Sequence, residues 1–163
     1  MSGAGAPELT VDASGLRVAI IAGSWHEEVM GALVAGAEET VAEFGASAET
    51  FRVAGAFELP LAAQTALAPA ADGGGDYDVA VCLGVIIRGG TPHFDYVCNA
   101  VTDGLGRVQL DSGRPVGFGV LTTDTEQQAL DRSGRPGAPE SKGREAAEAA
   151  LHLAVTMRSI GGK

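Results

Sequence analysis

The sequence predicts an α/β domain, a three-layer αβα sandwich in which a four-stranded parallel sheet lies between helices. Two observations carry that expectation. Strand-like and helix-like segments alternate along the chain with no long repeat, the order that produces parallel sheets. The strand-like runs, above all "DVAVCLGVII" at 78–87, are apolar without alternation, as in strands covered on both faces.

"LRVAII" (16–21) is a short apolar run ending in Ala22-Gly23-Ser24, a buried strand followed by a turn. Residues 26–44 have helical spacing: Val29, Leu33, Ala37 and Val41 fall on one stripe, widened by Met30, Val34 and Phe44. "AETFRVAG" (48–55) is a second strand stopped by Gly55, and "ELPLAAQTALA" (58–68) a helix with Pro60 in its first turn, where a missing N–H does no harm. A flexible loop, "ADGGGD" (71–76), leads to the third strand at 78–87. Phe94, Val97, Val101, Leu105 and Val108 then mark an amphipathic helix. "PVGFGVLTT" (115–123) is the fourth strand, "TEQQALDRS" (125–133) a short helix, and "KGREAAEAALHLAVTMRSI" (142–160) a final alanine-rich helix.

A chain of 163 residues, 45% hydrophobic, fits one domain with a sizeable core, placed at 16–160 after a flexible N-terminal segment, 1–15. With 11 basic and 21 acidic residues the net charge is -10, which argues against nucleic acid or an anionic membrane as partner. A small phosphorylated ligand stays open, because it needs only one or two local cations and some N–H groups. Cys82 and Cys98 sit in apolar periodic segments and read as reduced thiols of a cytoplasmic protein. The N-terminus lacks the pattern of a signal peptide, and no apolar stretch approaches the roughly 18 residues of a membrane span. Three scattered histidines give no metal-ligand spacing, and there is no serine nucleophile elbow.

In parallel α/β folds ligands bind beyond the carboxyl ends of the strands. The segments there are "AGSWHE", "AGAFELP", "IIRGGTPHF" and "LTTDTEQQ". Gly89 and Gly90 let the backbone approach a ligand, Thr91 offers a hydroxyl, and the helix beginning near Pro92 points N–H groups outward, an arrangement suited to phosphate. The same residues also describe a plain tight turn with Thr91 as helix cap. The glycine spacing fits neither a Walker loop nor a dinucleotide fingerprint. His93 brings a proton acceptor to that strand end, where the helix dipole disfavours a charged imidazole.

Glu58, at a helix start, suits hydroxyls of a polyol or serves its own helix. Trp25 either stacks on a flat heterocycle or packs under a neighbour. His26 reads as a polar helix start and His152 as surface or interface. Arg132 and Lys142 flank a Gly/Pro loop, where each reads as a phosphate ligand or a surface charge. Arg88 reads as a partner in a structural ion pair.

The pieces "AIIAGSWH", "VAGAFELP", "CLGVIIRGGTPHFDYVCNAVTDGL" and "FGVLTTDTEQQALDRSG…SKG", in this order over about 16–158, closely resemble the lumazine synthase family. The resemblance implies a flavodoxin-like fold, oligomeric, and condensation of 5-amino-6-(ribitylamino)uracil with 3,4-dihydroxy-2-butanone 4-phosphate to 6,7-dimethyl-8-ribityllumazine, phosphate and water, the penultimate step of riboflavin biosynthesis. It implies no cofactor and no metal.

By resemblance, Trp25 stacks on the pyrimidine, Ser24, Ala56, Phe57 and Glu58 hold the ribityl chain, and Val85 and Ile87 line the ring pocket. Gly89, Gly90 and Thr91 cradle the phosphate, and His93 shuttles protons. The family's site lies between neighbours in a homopentamer, so Phe118 comes from the adjacent subunit and Arg132, with Lys142 nearby, supplies positive charge. Riboflavin synthase is an implied partner.

The sequence also departs from the family. Asp124 stands where asparagine is usual, the "PAADGGGD" loop is longer, and "SGRPGAPES" replaces a tight turn, which favours free pentamers over icosahedral shells. Rival readings are an archaeal-type riboflavin synthase, a non-catalytic lumazine or flavin carrier, a shell protein and a catabolic relative. The butanone-phosphate cradle and the "GTPHFDY" match speak against the synthase, and the Gly-Gly-Thr-Pro-His run together with Arg132 speaks against the carrier and the shell protein.

Overall fold

The structure, a computed structural model, describes residues 9–162. Four parallel strands, β1 (Arg17–Gly23), β2 (Ser47–Val53), β3 (Val79–Ile87) and β4 (Val116–Thr123), form one sheet in the order β2-β1-β3-β4. Five α-helices cover it: α1 (Glu27–Glu43), α2 (Leu59–Leu67), α3 (His93–Ser112), α4 (Glu126–Leu130) and α5 (Lys142–Ile160). The fold is the three-layer α/β sandwich expected.

Alternation along β3 divides the core. Val79, Val81, Leu83 and Val85 join the cluster beneath α1 and α5, whereas Ala80, Cys82 and Ile86 join the one beneath α2 and α3. Both faces are therefore dry, which is why β1 and β3 read as unbroken apolar runs. Of the two edge strands, β2 is exposed along most of its length, Phe51 included. The helical stripe of α1 is buried as its spacing predicts, through Val29, Leu33, Ala37 and Val41.

Several boundaries differ from the sequence expectation. The helix predicted over 125–133 ends at Leu130. Beyond it Arg132 and Ser133 close tight turns onto Ala129 O and Leu130 O, and Ser133 then pairs with Ser141, so the chain leaves the helix axis. The helix predicted from 58 starts with a 3₁₀ turn over Ala56–Glu58, and another at Ala70–Asp72 takes up the first two residues of the loop predicted over 71–76. The flexible segment expected over 1–15 falls largely on residues 1–8, outside the described residues. At its other end Ala13 is fully buried and its N–H donates to Phe44 O at 2.8 Å, so this part of the chain is anchored.

The α1–α5 contact depends on a glycine. A Cβ placed on Gly143 would lie 2.0 Å from Leu33 O, a backbone atom that moves only with its helix. Gly143→Ala should therefore cost about 2–3 kcal/mol of stability, measured by denaturant unfolding. Gly31→Ala, in α1 with nothing within 4 Å, is the control. It should be neutral or stabilise by up to about 1 kcal/mol, and equal losses in both variants would reject the close-approach argument.

Candidate active site

The strand order reverses between β1 and β3, so their carboxyl ends open a crevice. At the end of β1, Ser24 N donates to Ala54 O (3.3 Å), Ser24 Oγ to Val53 O (2.7 Å) and Arg52 Nη1 to Gly23 O (3.1 Å). These bonds tie the ends of β1 and β2 together. His26 then adopts a left-handed conformation (φ 57, ψ 67) as the first residue outside α1. Such a conformation costs a non-glycine residue roughly 1–2 kcal/mol. Trp25, beside this turn, is 68% exposed, so it is not a core packing residue. Its indole lies against Gly55, where a Cβ would come within 3.5 Å of the ring.

Glu58 closes the 3₁₀ turn after β2, with Oε2 accepting from Gly55 N at 2.8 Å. Among the described residues Oε1 has no protein hydrogen bond. One oxygen serves the turn and the other remains available, so the two sequence readings of Glu58 are compatible.

At the end of β3, Arg88 N still donates to Thr123 O (2.9 Å). Beyond it Gly89, Gly90 and Thr91 are exposed, and among the described residues their amides make no protein hydrogen bond. A Cβ on either glycine would meet nothing within 4 Å. The residue capping α3 is Pro92, with no side-chain cap, so Thr91 does not play the capping part that a plain tight turn would give it. His93 is the first residue of α3 and is exposed.

Arg88 forms the expected structural ion pairs. Its Nε lies 2.7 Å from Asp124 Oδ1 and its Nη1 3.5 Å from Asp95 Oδ1, while the guanidinium sits 4.2 Å from the Phe94 ring centre. The bond to Asp124, with the second carboxylate nearby, raises its pKa above the ordinary arginine value.

A cavity of about 410 Å³ unites much of the predicted site. Trp25, Ala56, Phe57 and Glu58 form one side, and Val85, Ile87, Gly89, Thr91 and His93 the other. His26, Phe94 and Val97 also line it. His26 went unrecognised because a left-handed turn at histidine leaves no mark in the sequence; Phe94 and Val97 were visible only as members of a helical stripe. Ser24 and Gly90 adjoin the cavity in sequence without lining it. A larger hollow, about 760 Å³, lies between α2 and α3 around Gln64, Ser112 and Arg114 and contains none of these groups. The smaller cavity has the chemistry.

Phe118, Arg132 and Lys142 lie outside that cavity. Phe118 and Lys142 share a groove of about 270 Å³ with Glu145 and Leu153, and Lys142 N donates to Arg132 O at 2.9 Å. Lys142 Nζ stands 2.6 Å from Glu140 Oε2 and 2.8 Å from Glu145 Oε2. Burial alone would lower the Lys142 pKa, but these bonds outweigh it and hold the pKa above the usual value. Arg132 differs: its guanidinium donates to Gln128 O (2.9 Å), and among the described residues it makes no ion pair.

Among the described residues, the only titratable side chains lining the 410 Å³ cavity are His26, Glu58 and His93. Gly89 and Thr91, whose amides are free among the described residues, thus line a space that no lysine or arginine among the described residues lines. Among the described residues no three His, Cys, Asp or Glu side chains cluster as metal donors, and no helix is long and apolar enough to cross a membrane.

Residues 15–158 match the family model described as 6,7-dimethyl-8-ribityllumazine synthase. Among curated proteins bearing that description, one from Leifsonia xyli subsp. xyli is 57% identical, the match covering 99% of this chain and all of the relative. One from Streptomyces avermitilis is 56% identical over 98% of this chain and 97% of the relative. One from Micrococcus luteus is 53% identical over 99% of both.

Proposed function

The chain belongs to the 6,7-dimethyl-8-ribityllumazine synthase family, and on that premise we propose that the cavity beyond β1 and β3 is its active site. The protein is an enzyme of riboflavin biosynthesis that condenses 5-amino-6-(ribitylamino)uracil with 3,4-dihydroxy-2-butanone 4-phosphate. The reading of the site rests on one observation: an exposed indole, a half-used carboxylate, an imidazole and two residues with unbonded amides, Gly89 and Thr91, line a single hollow, with Gly90 between those two in sequence.

Trp25 stacks on the pyrimidine between Val85 and Ile87, while Glu58 and the Ala56–Phe57 backbone take the ribityl hydroxyls. Ser24 helps through its hold on the end of β2. The amides of Gly89, Gly90 and Thr91 receive the phosphate. The 5-amino group attacks the ketone and water leaves to form an imine; phosphate is then eliminated and the ring closes with loss of a second water. His93 carries protons between these steps. Holding both substrates in one hollow makes a bimolecular condensation effectively intramolecular.

The cation for the phosphate comes from a neighbour in a homopentamer, where Arg132 leads, Lys142 lies nearby and Phe118 covers the ring. Support for Arg132 is its guanidinium, which among the described residues donates to a neutral carbonyl and makes no ion pair. Support for an assembly is the number of large apolar side chains left exposed, among them Phe57, Leu61, Tyr96, Leu110 and Phe118. Free pentamers are favoured over shells; light scattering should give five chains of 16.4 kDa, and a particle near a megadalton would reverse that preference. The unpaired cysteines, with the Cys82 thiol pushed up to about 12 by burial, suit a cytoplasmic setting, where riboflavin synthase would take the product.

Mixing purified protein with both substrates should produce lumazine absorbance and equimolar phosphate. A carrier would bind lumazine without turnover. Arg132→Ala should raise the KM for the butanone phosphate about tenfold or more, as expected for loss of a charged hydrogen bond. An unchanged KM would remove Arg132 from the site.

A further inference from the structure

The segment that presents the three free amides touches little of the protein itself. Gly89, Gly90 and Thr91 are exposed, their amides are unbonded among the described residues, and space around both glycines is open. Its position therefore depends on what holds its two ends. One side chain reaches both. Arg88, at the entry, donates to Asp124 beyond β4 and to Asp95 in the first turn of α3, and lies over Phe94, next to His93. Asp124 is fixed in turn, because its own N–H donates to Gln128 Oε1 at 2.8 Å. The clasp thus joins the end of β4, the start of the amide segment and the first turn of α3.

We propose that Asp124 is a positioning residue for phosphate binding: through Arg88 it sets the spacing between the Gly89–Thr91 amides and His93. The proposal rests on the assignment of the cavity as the active site. Neither Arg88 nor Asp124 lines that cavity, so the effect passes through the backbone. Both side chains are substantially exposed, at 45% and 64%, so their pairing adds little global stability.

The experiment compares Asp124→Ala, Asp124→Asn and Arg88→Ala in the full-length enzyme, measuring KM for each substrate, kcat, thermal unfolding and competitive inhibition by inorganic phosphate. Asp124→Ala should raise the KM for the butanone phosphate and the phosphate inhibition constant about threefold to fivefold. The KM for the aminouracil should remain unchanged. Asp124→Asn, which keeps an acceptor for Arg88 Nε, should fall between wild type and alanine. In an Arg88→Ala background Asp124→Ala should add nothing, because the path through Arg88 is already cut.

A shift in thermal unfolding with both KM values unchanged would reduce the clasp to an ordinary ion pair and overturn the proposal. A lower KM for the butanone phosphate in Asp124→Ala would also overturn it, since freed Arg88 would then be a phosphate ligand. Failure of the site assignment looks different: wild-type enzyme would turn over substrate yet show no competition between phosphate and the butanone phosphate.

Discussion

Replacing His93 with alanine is expected to slow turnover about tenfold to a few hundredfold without abolishing it. The reaction exchanges protons when the amine adds to the ketone, when water leaves and when phosphate is eliminated. His93 stands at the start of α3, beside the amides assigned to the phosphate, and lines the same hollow as Trp25 and Glu58. The residual rate comes from holding two reactants in one place, which an alanine at 93 leaves intact. His93 is exposed and packs into no core cluster, so thermal unfolding should hardly move. Steady-state kcat followed by lumazine absorbance decides the matter. No change in kcat would remove His93 as proton carrier. Complete loss with intact substrate binding would mean that positioning supplies much less of the acceleration than argued.

What could be read from the sequence was what repeats at short range. Apolar runs without alternation revealed β1 and β3, because both their faces lie under helices, and the four-residue steps of α1 gave its buried stripe. "GGTPH" and "GAFELP" were legible because glycine, proline and charged residues at a strand end have few structural uses. Contacts between distant segments were not. That α4 stops at Leu130 depends on Ser133 meeting Ser141, a pairing with no local pattern. The left-handed turn at His26 is held by chain ends that meet only in the folded sheet. Arg88 was readable as half of an ion pair, but Asp95 and Asp124 emerged as its partners only once β3, α3 and β4 were side by side.

Co-assembly of His93→Ala and Arg132→Ala chains is expected to give more activity than either variant has alone. Among the described residues no lysine or arginine lines the cavity holding His93, and Arg132 lies with Lys142 outside it. If each site takes its imidazole from one subunit and its guanidinium from the next, an Arg132→Ala chain still offers an intact His93, and a His93→Ala chain still offers an intact Arg132. Random mixing then leaves about a quarter of the interfaces with both groups present. The assay belongs at butanone phosphate concentrations below the wild-type KM, where loss of the arginine weighs most. Differently tagged chains, co-expressed and purified through both tags, should then reach about a quarter of the wild-type rate. A rate equal to the mean of the two parents would place both groups in the site of one chain. That result would leave the cavity and its amides in place but reject the division of labour between neighbours, since the cation would then have to reach the phosphate from within the same fold.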